Sequence, residues 1–272
     1  KRRGAIRRRK EQQKEIRWEG PLLNPVAITR FPPLSYAGRE AMNTLCTNLS
    51  FAGDAVKKIM LTSCHPNEGK SFVSMNLMRS LAQNGKSVVL VDTDLRKSVL
   101  DLSYGIRYAS RTRGPGMVHY LAGMTDAESI LYSTDIPNAF FVPAGRDVLN
   151  SLPLLGTPKF SAFLDDMAQR FQYIIVDSPP VGTIIDAAEI AKSCDGVLLV
   201  INYNAVRRRE ALEAKAQLLQ SGCPILGTVL NGVEYDSYIT KKYYYRDSSY
   251  YASDYGEEAS PSDKARRKRT AR

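Results

Sequence analysis

Six short runs of apolar and β-branched residues, each stopped by a turn residue or a polar side chain, constrain this chain more than anything else in it. They lie at 58–63 (KIMLTS), 87–92 (SVVLVD), 140–143 (FFVP), 173–177 (YIIVD), 197–202 (VLLVIN) and 225–230 (ILGTVL). None alternates apolar with polar residues, so each reads as a strand covered on both faces. Helical patterns fill the spaces between them, at 71–83, 159–170, 187–193 and 207–220, with one more at 37–51 ahead of the first run. In the 207–220 stretch, Ala211, Ala214, Leu218 and Leu219 repeat at helical spacing as core packing. Strands alternating with helices predict an α/β fold: a mostly parallel central sheet with helices on both faces.

The ends are unlike this middle. The formal charge is +10, but residues 1–17 carry nine Lys/Arg against two Glu, and residues 261–272 carry six against one Asp. Removing both leaves −2 for residues 18–260, so the folded part is not basic. A nucleic-acid-binding body should hold its charge on a folded face, so no nucleic-acid partner is expected. Basic ends suit an anionic membrane surface, at about 1 kcal/mol per Lys or Arg, or serve only as solubilising extensions. No run approaches the ~18 apolar residues of a membrane-spanning helix, and no apolar segment follows the basic start as in a signal peptide. The chain begins at Lys1 rather than Met, as would the cytoplasmic part of a longer protein whose Arg-rich start lies just inside a membrane span.

The expected divisions are a basic segment and linker at 1–36, ending in the proline-broken RFPPLSY; a folded domain at 37–234; and a tail at 235–272 without core-forming apolar content. Cys46, Cys64, Cys194 and Cys223 form no CxxC, and with only His65 and His119 beside them no zinc spacing exists. Reduced thiols are the simplest account.

Chemistry concentrates where strands end. The first run leads into Cys64-His65-Pro66-Asn67-Glu68-Gly69-Lys70-Ser71, with Phe72 opening the next helix. The G-K-S ending is that of a phosphate-binding P-loop whose first glycine is replaced by Cys64, a change tolerable if Cys64 needs no positive φ. Backbone N–H groups at the helix start would cradle phosphates, with closest approach at Gly69. Lys70 would neutralise the β- and γ-phosphates of ATP, and Ser71 would ligate Mg²⁺. A plain strand-to-helix turn with an exposed lysine is the simpler alternative.

The second run releases Asp92 and Asp94, two residues apart and so on one side, at the strand end where open parallel sheets bind ligands. Carboxylates there hold the water shell of Mg²⁺ or accept a proton from an attacking hydroxyl; a solvated loop pair is the alternative. Asp177 closes a run of Walker B form and could orient Mg²⁺ across from Ser71. Asp186 is either a further polar site residue or, as preferred, the N-cap of the next helix. Asn231 either reads an adenine edge or forms a turn beside Gly232. No guanine-reading NKxD follows, which favours ATP.

Residues 235–255 hold eight of the fifteen tyrosines, among them Tyr243, Tyr244, Tyr245, Tyr250, Tyr251 and Tyr255, interleaved with Lys, Arg, Asp and Ser. Such a segment cannot bury its rings, and phenols collected there make sense as phosphorylation substrates. An aromatic stacking segment or a docked strand would be the alternatives.

SCHPNEGKS, VVLVDTDLR, YIIVDSPP and the terminal tyrosines, in that order, resemble the bacterial tyrosine kinases of capsule and exopolysaccharide synthesis. The resemblance spans roughly residues 40–255. It implies the P-loop sheet shared with septum-site and partitioning ATPases, Mg·ATP as cofactor, and autophosphorylation of the tyrosine tail. By the same resemblance Lys70, Asp92, Asp94 and Asp177 form the catalytic set, with Asp92 as base and Ser71, Asp94 and Asp177 on the metal. Arg96 would lie close enough to stabilise transferred charge. The implied partners are a membrane polysaccharide co-polymerase or adaptor, separate or fused, and neighbouring copies that exchange phosphate; the implied place is the inner face of the plasma membrane.

The sequence departs from the family in three places. Its E-x-x-R-x-x-R ring contact has Asn43 and Cys46 here in place of both arginines. Its N-P-x-x-L-L segment survives only partly as Asn150-Ser151-Leu152-Pro153-Leu154-Leu155, and the basic end beyond Lys264 is not a family feature. Two rival readings are a switch ATPase of the septum-site type and an inactive scaffold phosphorylated by another kinase. The first would carry a second lysine where Cys64-His65 stand, and the intact Lys70 and aspartates weigh against the second.

Overall fold

A computed structural model describes residues 24–110, 112–182 and 185–233. The tyrosine cluster assigned to autophosphorylation and both basic ends lie outside the described residues. Along the chain the elements are β1 (Val26–Ile28), α1 (Tyr36–Phe51), β2 (Lys58–Ser63), α2 (Lys70–Gln83), β3 (Val88–Asp92), α3 (Leu100–Tyr104), β4 (Ile106–Tyr108), α4 (Met117–Leu121), β5 (Tyr132–Ser133) and β6 (Ala139–Val142). There follow α5 (Leu152–Leu155), α6 (Pro158–Arg170), β7 (Tyr173–Asp177), α7 (Asp186–Ala191), β8 (Gly196–Asn202), α8 (Arg208–Gln220) and β9 (Ile225–Asn231).

Seven strands form one sheet in the order β5-β6-β3-β7-β2-β8-β9. All neighbours pair in parallel except the two-residue edge strand β5, which runs antiparallel to β6. Strand residues alternate between two cores. Met60, Val89, Val91, Ile174, Val176, Val197 and Leu199 face α4 to α8, whereas Ile59, Leu61, Val88, Leu90, Ile175, Leu198 and Val200 face α1 and α2. Burial on both faces is why the runs read as continuous apolar stretches rather than as alternating ones.

Helix α6 shows how sequence sets packing. Pro158 occupies its first turn, where a missing N–H costs nothing, and Phe160, Phe163, Leu164 and Met167 fall on one buried stripe. Each such side chain contributes about 1.5–3 kcal/mol through its removal from water. Gly69 is the N-cap of helix α2, and its φ of +87° is one a side chain would resist.

The stretch read as linker carries an element of its own. β1 pairs antiparallel with β4 across some eighty residues of sequence, and Val26 is wholly buried. Phe31 stacks edge-on against Tyr104, and the Arg79 guanidinium lies 3.9 Å from the Phe31 ring centroid. The four cysteines are free. Among the described residues no helix is long and apolar enough to cross a membrane.

Candidate nucleotide and phosphoryl-transfer site

β2, β3 and β7 are adjacent, and their C-terminal ends bring the phosphate loop and the aspartates together. Asp92 and Asp177 are register partners on β3 and β7, both almost fully buried. Ser71 Oγ donates to Asp177 Oδ2 at 2.6 Å, and Ser74 Oγ lies 2.9 Å from Asp177 Oδ1. Ser71 and Ser74 stand three residues apart on α2 and so share the face turned to β7. The G-K-S ending marks Ser71 in the sequence, and no motif marks Ser74. Thr93 donates twice to the Asp177 carbonyl, through its N–H and its Oγ1, both at 2.8 Å. This fixes the turn after β3 to the end of β7.

Burial drives the Asp92 carboxyl well above its ordinary range, and the neighbouring Asp177 adds to the effect; the hydrogen bond from Ser98 Oγ opposes it. Asp177 is also raised, again first by burial, while Lys70 and the two serine hydroxyls pull the other way. Asp94 adds negative charge near both. The Asp94 N–H donates to Asp92 at 3.2 Å, and the Lys97 N–H donates to Asp94 Oδ1 at 3.1 Å. Two buried carboxyls on adjacent strands therefore want positive charge or a proton. Nothing in the sequence marked Ser98, which meets Asp92 only because the loop after β3 folds back.

The phosphate loop is held from behind. Glu68 is buried; its Oε1 accepts from the His65 N–H and its Oε2 from the Asn202 N–H, the latter at 3.1 Å. Asn231 Nδ2 donates to the Glu68 carbonyl at 3.0 Å. Asn67 and Gly69 take positive φ, +66° and +87°, whereas Cys64 does not, so its replacement of glycine carries no backbone strain. Gly69 is required on two counts, since an added Cβ would lie 2.0 Å from Asn231 Nδ2.

The side chains of the loop lie in several different surroundings. The Cys64 side chain packs in the core beneath the loop, and Phe72 packs against the α1–α2 side. Glu68 points inward, so its part is to shape the loop. Pro66 and Asn67 are exposed at the loop's crest, and His65 sits 3.5 Å from Glu210 on α8. Asn231, offered as an adenine reader or a turn former, is the clamp on Glu68.

Arg96 and Asp186 also differ from expectation. Arg96 Nε bonds Asp186 Oδ2 and Ser151 Oγ, each at 2.9 Å, and Nη1 reaches the Leu149 carbonyl at 3.1 Å. Asp186 is buried and caps no helix end through its side chain. The pair ties the loop after β3 to the loop before α5 and to the first residue of α7, so the guanidinium is occupied as a tie rather than left for transferred charge. This role was hidden from sequence because the partners lie ninety residues apart.

A nucleotide fits this arrangement: a left-handed glycine, a free helix N-terminus and Lys70 meet above two carboxylates. Among the described residues no group of three or more His, Cys, Asp or Glu forms a ready-made metal cage. Mg²⁺ that arrives with phosphate needs only one or two protein ligands, and Ser71 with Asp177 supplies such a donor set.

Residues 56–221 match the AAA domain family model AAA_31. The tyrosine-protein kinase CpsD of Streptococcus pneumoniae serotype 4 is 38% identical over 195 residues, covering 72% of this chain and 84% of that protein. The solved kinase domain of the Escherichia coli tyrosine kinase ETK superposes with a TM-score of 0.68 at 28% identity, over 74% of this chain and 77% of that one. The septum site-determining protein MinD of Pyrococcus horikoshii, solved with Mg-ADP, shares the fold at a TM-score of 0.55 and 24% identity, over 64% and 72%.

Proposed function

The chain belongs to the CpsD-like bacterial tyrosine kinases, and from that premise we propose that it transfers the γ-phosphoryl group of ATP to tyrosines of its own C-terminal cluster. One observation carries the chemistry: Lys70 and Ser71 open α2 directly against the buried Asp177–Asp92 pair. The tail adds the acceptor, with eight tyrosines between residues 235 and 255.

In this reading the N–H groups of the loop and of the first turn of α2 bind the phosphates, and Lys70 neutralises charge on them. Ser71, Asp177 and Asp94 would hold Mg²⁺, which supplies charge neutralisation on the phosphates when bound. Asp92 is the base. At the end of β3 beside Asp177, it accepts the phenolic proton while the tyrosine oxygen forms its bond to phosphorus and ADP departs with the broken bond's electrons. Ser98 holds Asp92 in place until the acceptor arrives. Arg96 keeps the β3 loop at the right height through Asp186. A membrane polysaccharide co-polymerase or adaptor at the inner face of the plasma membrane is the proposed partner, and regulation of capsule or exopolysaccharide export the proposed purpose. Phosphate passes between copies.

The test is intact mass after incubation with Mg·ATP, beside Lys70→Met. A ladder of ~80 Da steps mapping to residues 235–255, absent in the variant, is expected. Steps that persist in Lys70→Met would remove this chain as the source of phosphate. ATP loss without any mass change, with the adaptor tail present, would favour a switch ATPase.

A further inference from the structure

On the side of β3 away from the nucleotide loop, an open groove of about 660 Å³ runs between residues 113–119 and residues 145–147. Its walls are tied together. Met117 and Val118 donate backbone N–H bonds to the Pro143 and Ala144 carbonyls at 2.8 and 3.0 Å. Gly116 leaves no gap, since a Cβ there would fall 2.4 Å from the Pro143 oxygen. The groove is also fixed to the catalytic loop, because Val148 N–H donates to the Leu95 carbonyl at 2.9 Å.

The lining is rich in donors. Arg113 lines one wall and is braced through Nε by Asp101 at 2.7 Å. Arg146 stands exposed on the facing wall. His119 accepts the Gly116 N–H at Nδ1, 3.1 Å away, so as neutral imidazole it carries its own proton on Nε2. Asp147 is the acid of the lining, beside Arg146. Two guanidinium groups and an imidazole N–H suit carboxylate or phosphate.

The tail divides by charge. Residues 247–263 contain Asp247, Asp254, Glu257, Glu258 and Asp263 with no Lys or Arg, and they enclose Tyr250, Tyr251 and Tyr255. Residues 235–246 carry Lys241, Lys242 and Arg246 against Asp236 alone, around Tyr243, Tyr244 and Tyr245. We propose that this groove docks the acidic stretch 247–263 of a second copy, so that Tyr250, Tyr251 and Tyr255 are phosphorylated in preference to Tyr243–Tyr245. This rests on the kinase reading above, from which the groove takes its acceptor side. Each phosphate adds about −1.5 to −2 charges, so the first transfer strengthens docking for the next.

Two fluorescein-labelled peptides, 247–258 and 235–246, titrated with the nucleotide-free full chain at low salt, test this by anisotropy. The acidic peptide is expected to bind at least about fivefold more tightly, and Arg113→Ala/Arg146→Ala to erase most of that preference, in line with weak exposed ion pairs. Arg146→Gln, an exposed change that spares the Arg113–Asp101 tie, should lose part of it without affecting folding. Equal binding of the two peptides, or an unchanged preference in both variants, would overturn the proposal. Because no phosphate moves in this experiment, it can fail while the mass ladder succeeds, and the reverse.

Discussion

Glu68 offers the sharpest perturbation of the phosphate loop. Its two carboxylate oxygens each accept a backbone N–H, from His65 within the loop and from Asn202 at the end of β8. In Glu68→Gln the side-chain oxygen can serve only one of these, and the NH₂ group then faces the other donor. One bond to a charged acceptor is lost, worth roughly 1.5–3 kcal/mol, and a poorly solvated N–H loses its partner, at about 1–3 kcal/mol. Part of this overlaps, because the loop can shift and water can enter, so about 2–4 kcal/mol is expected. For a body of this size that is roughly 5–15 °C in Tm. Urea unfolding with unchanged m-value, together with a titration of Mg·ADP, reads both effects. Nucleotide affinity should fall by at least about tenfold, a loss of ~1.4 kcal/mol, since Glu68 holds in shape the loop proposed to bind phosphate. Glu68→Gln within 0.5 kcal/mol of the parent and with unchanged affinity would refute the argument that the loop is shaped from behind.

Two further outcomes follow from the buried charges. Asp92 is raised by burial and by Asp177 above its ordinary value of 3.8. Its contribution to the empty fold is therefore fully present below pH ~4 and is lost as pH climbs through the raised value. Asp92→Asn should flatten that decline and raise the nucleotide-free Tm at neutral pH while abolishing tyrosine phosphorylation; an unchanged pH profile of Tm would remove the electrostatic account. Arg96→Ala strands Asp186, which is 1% exposed. Breaking a buried pair costs about 3–5 kcal/mol, less here because a third of the arginine meets solvent. Arg96→Ala/Asp186→Ala should recover part of the loss in a double-mutant cycle, and strict additivity would count against the tie.

The sheet was legible because its strands are buried on both faces, and each motif hangs from a strand end that the apolar runs locate. Lys70, Ser71 and Asp177 could be brought together from sequence for that reason. β1 and β4 could not be, since three residues each give no periodicity and their partners are set by tertiary contact. Glu68, Asn231, Arg96 and Asp186 stand out in the sequence as individual residues, but their partners do not. Each acts through a bond spanning some ninety or more positions, and no local pattern encodes such a bond. Ser98 left no trace at all, because a serine in a loop looks the same whether or not it meets a carboxyl.

The clamp by Asn231 has a consequence for how the protein comes into being. β2 and its phosphate loop are made early, yet two of the loop's ties, to residues 202 and 231, wait for the last two strands. A ribosome-bound chain that ends before β9 has the lysine and the serine but not the loop that aims them, and its long-range parallel pairings are slow to form in any case. Tyr243 lies only twelve residues after Asn231. In the proposed reading the phosphate loop is thus completed just as the tyrosine cluster begins to be synthesised, and a chain cut before β9 carries neither an aimed loop nor the proposed acceptors.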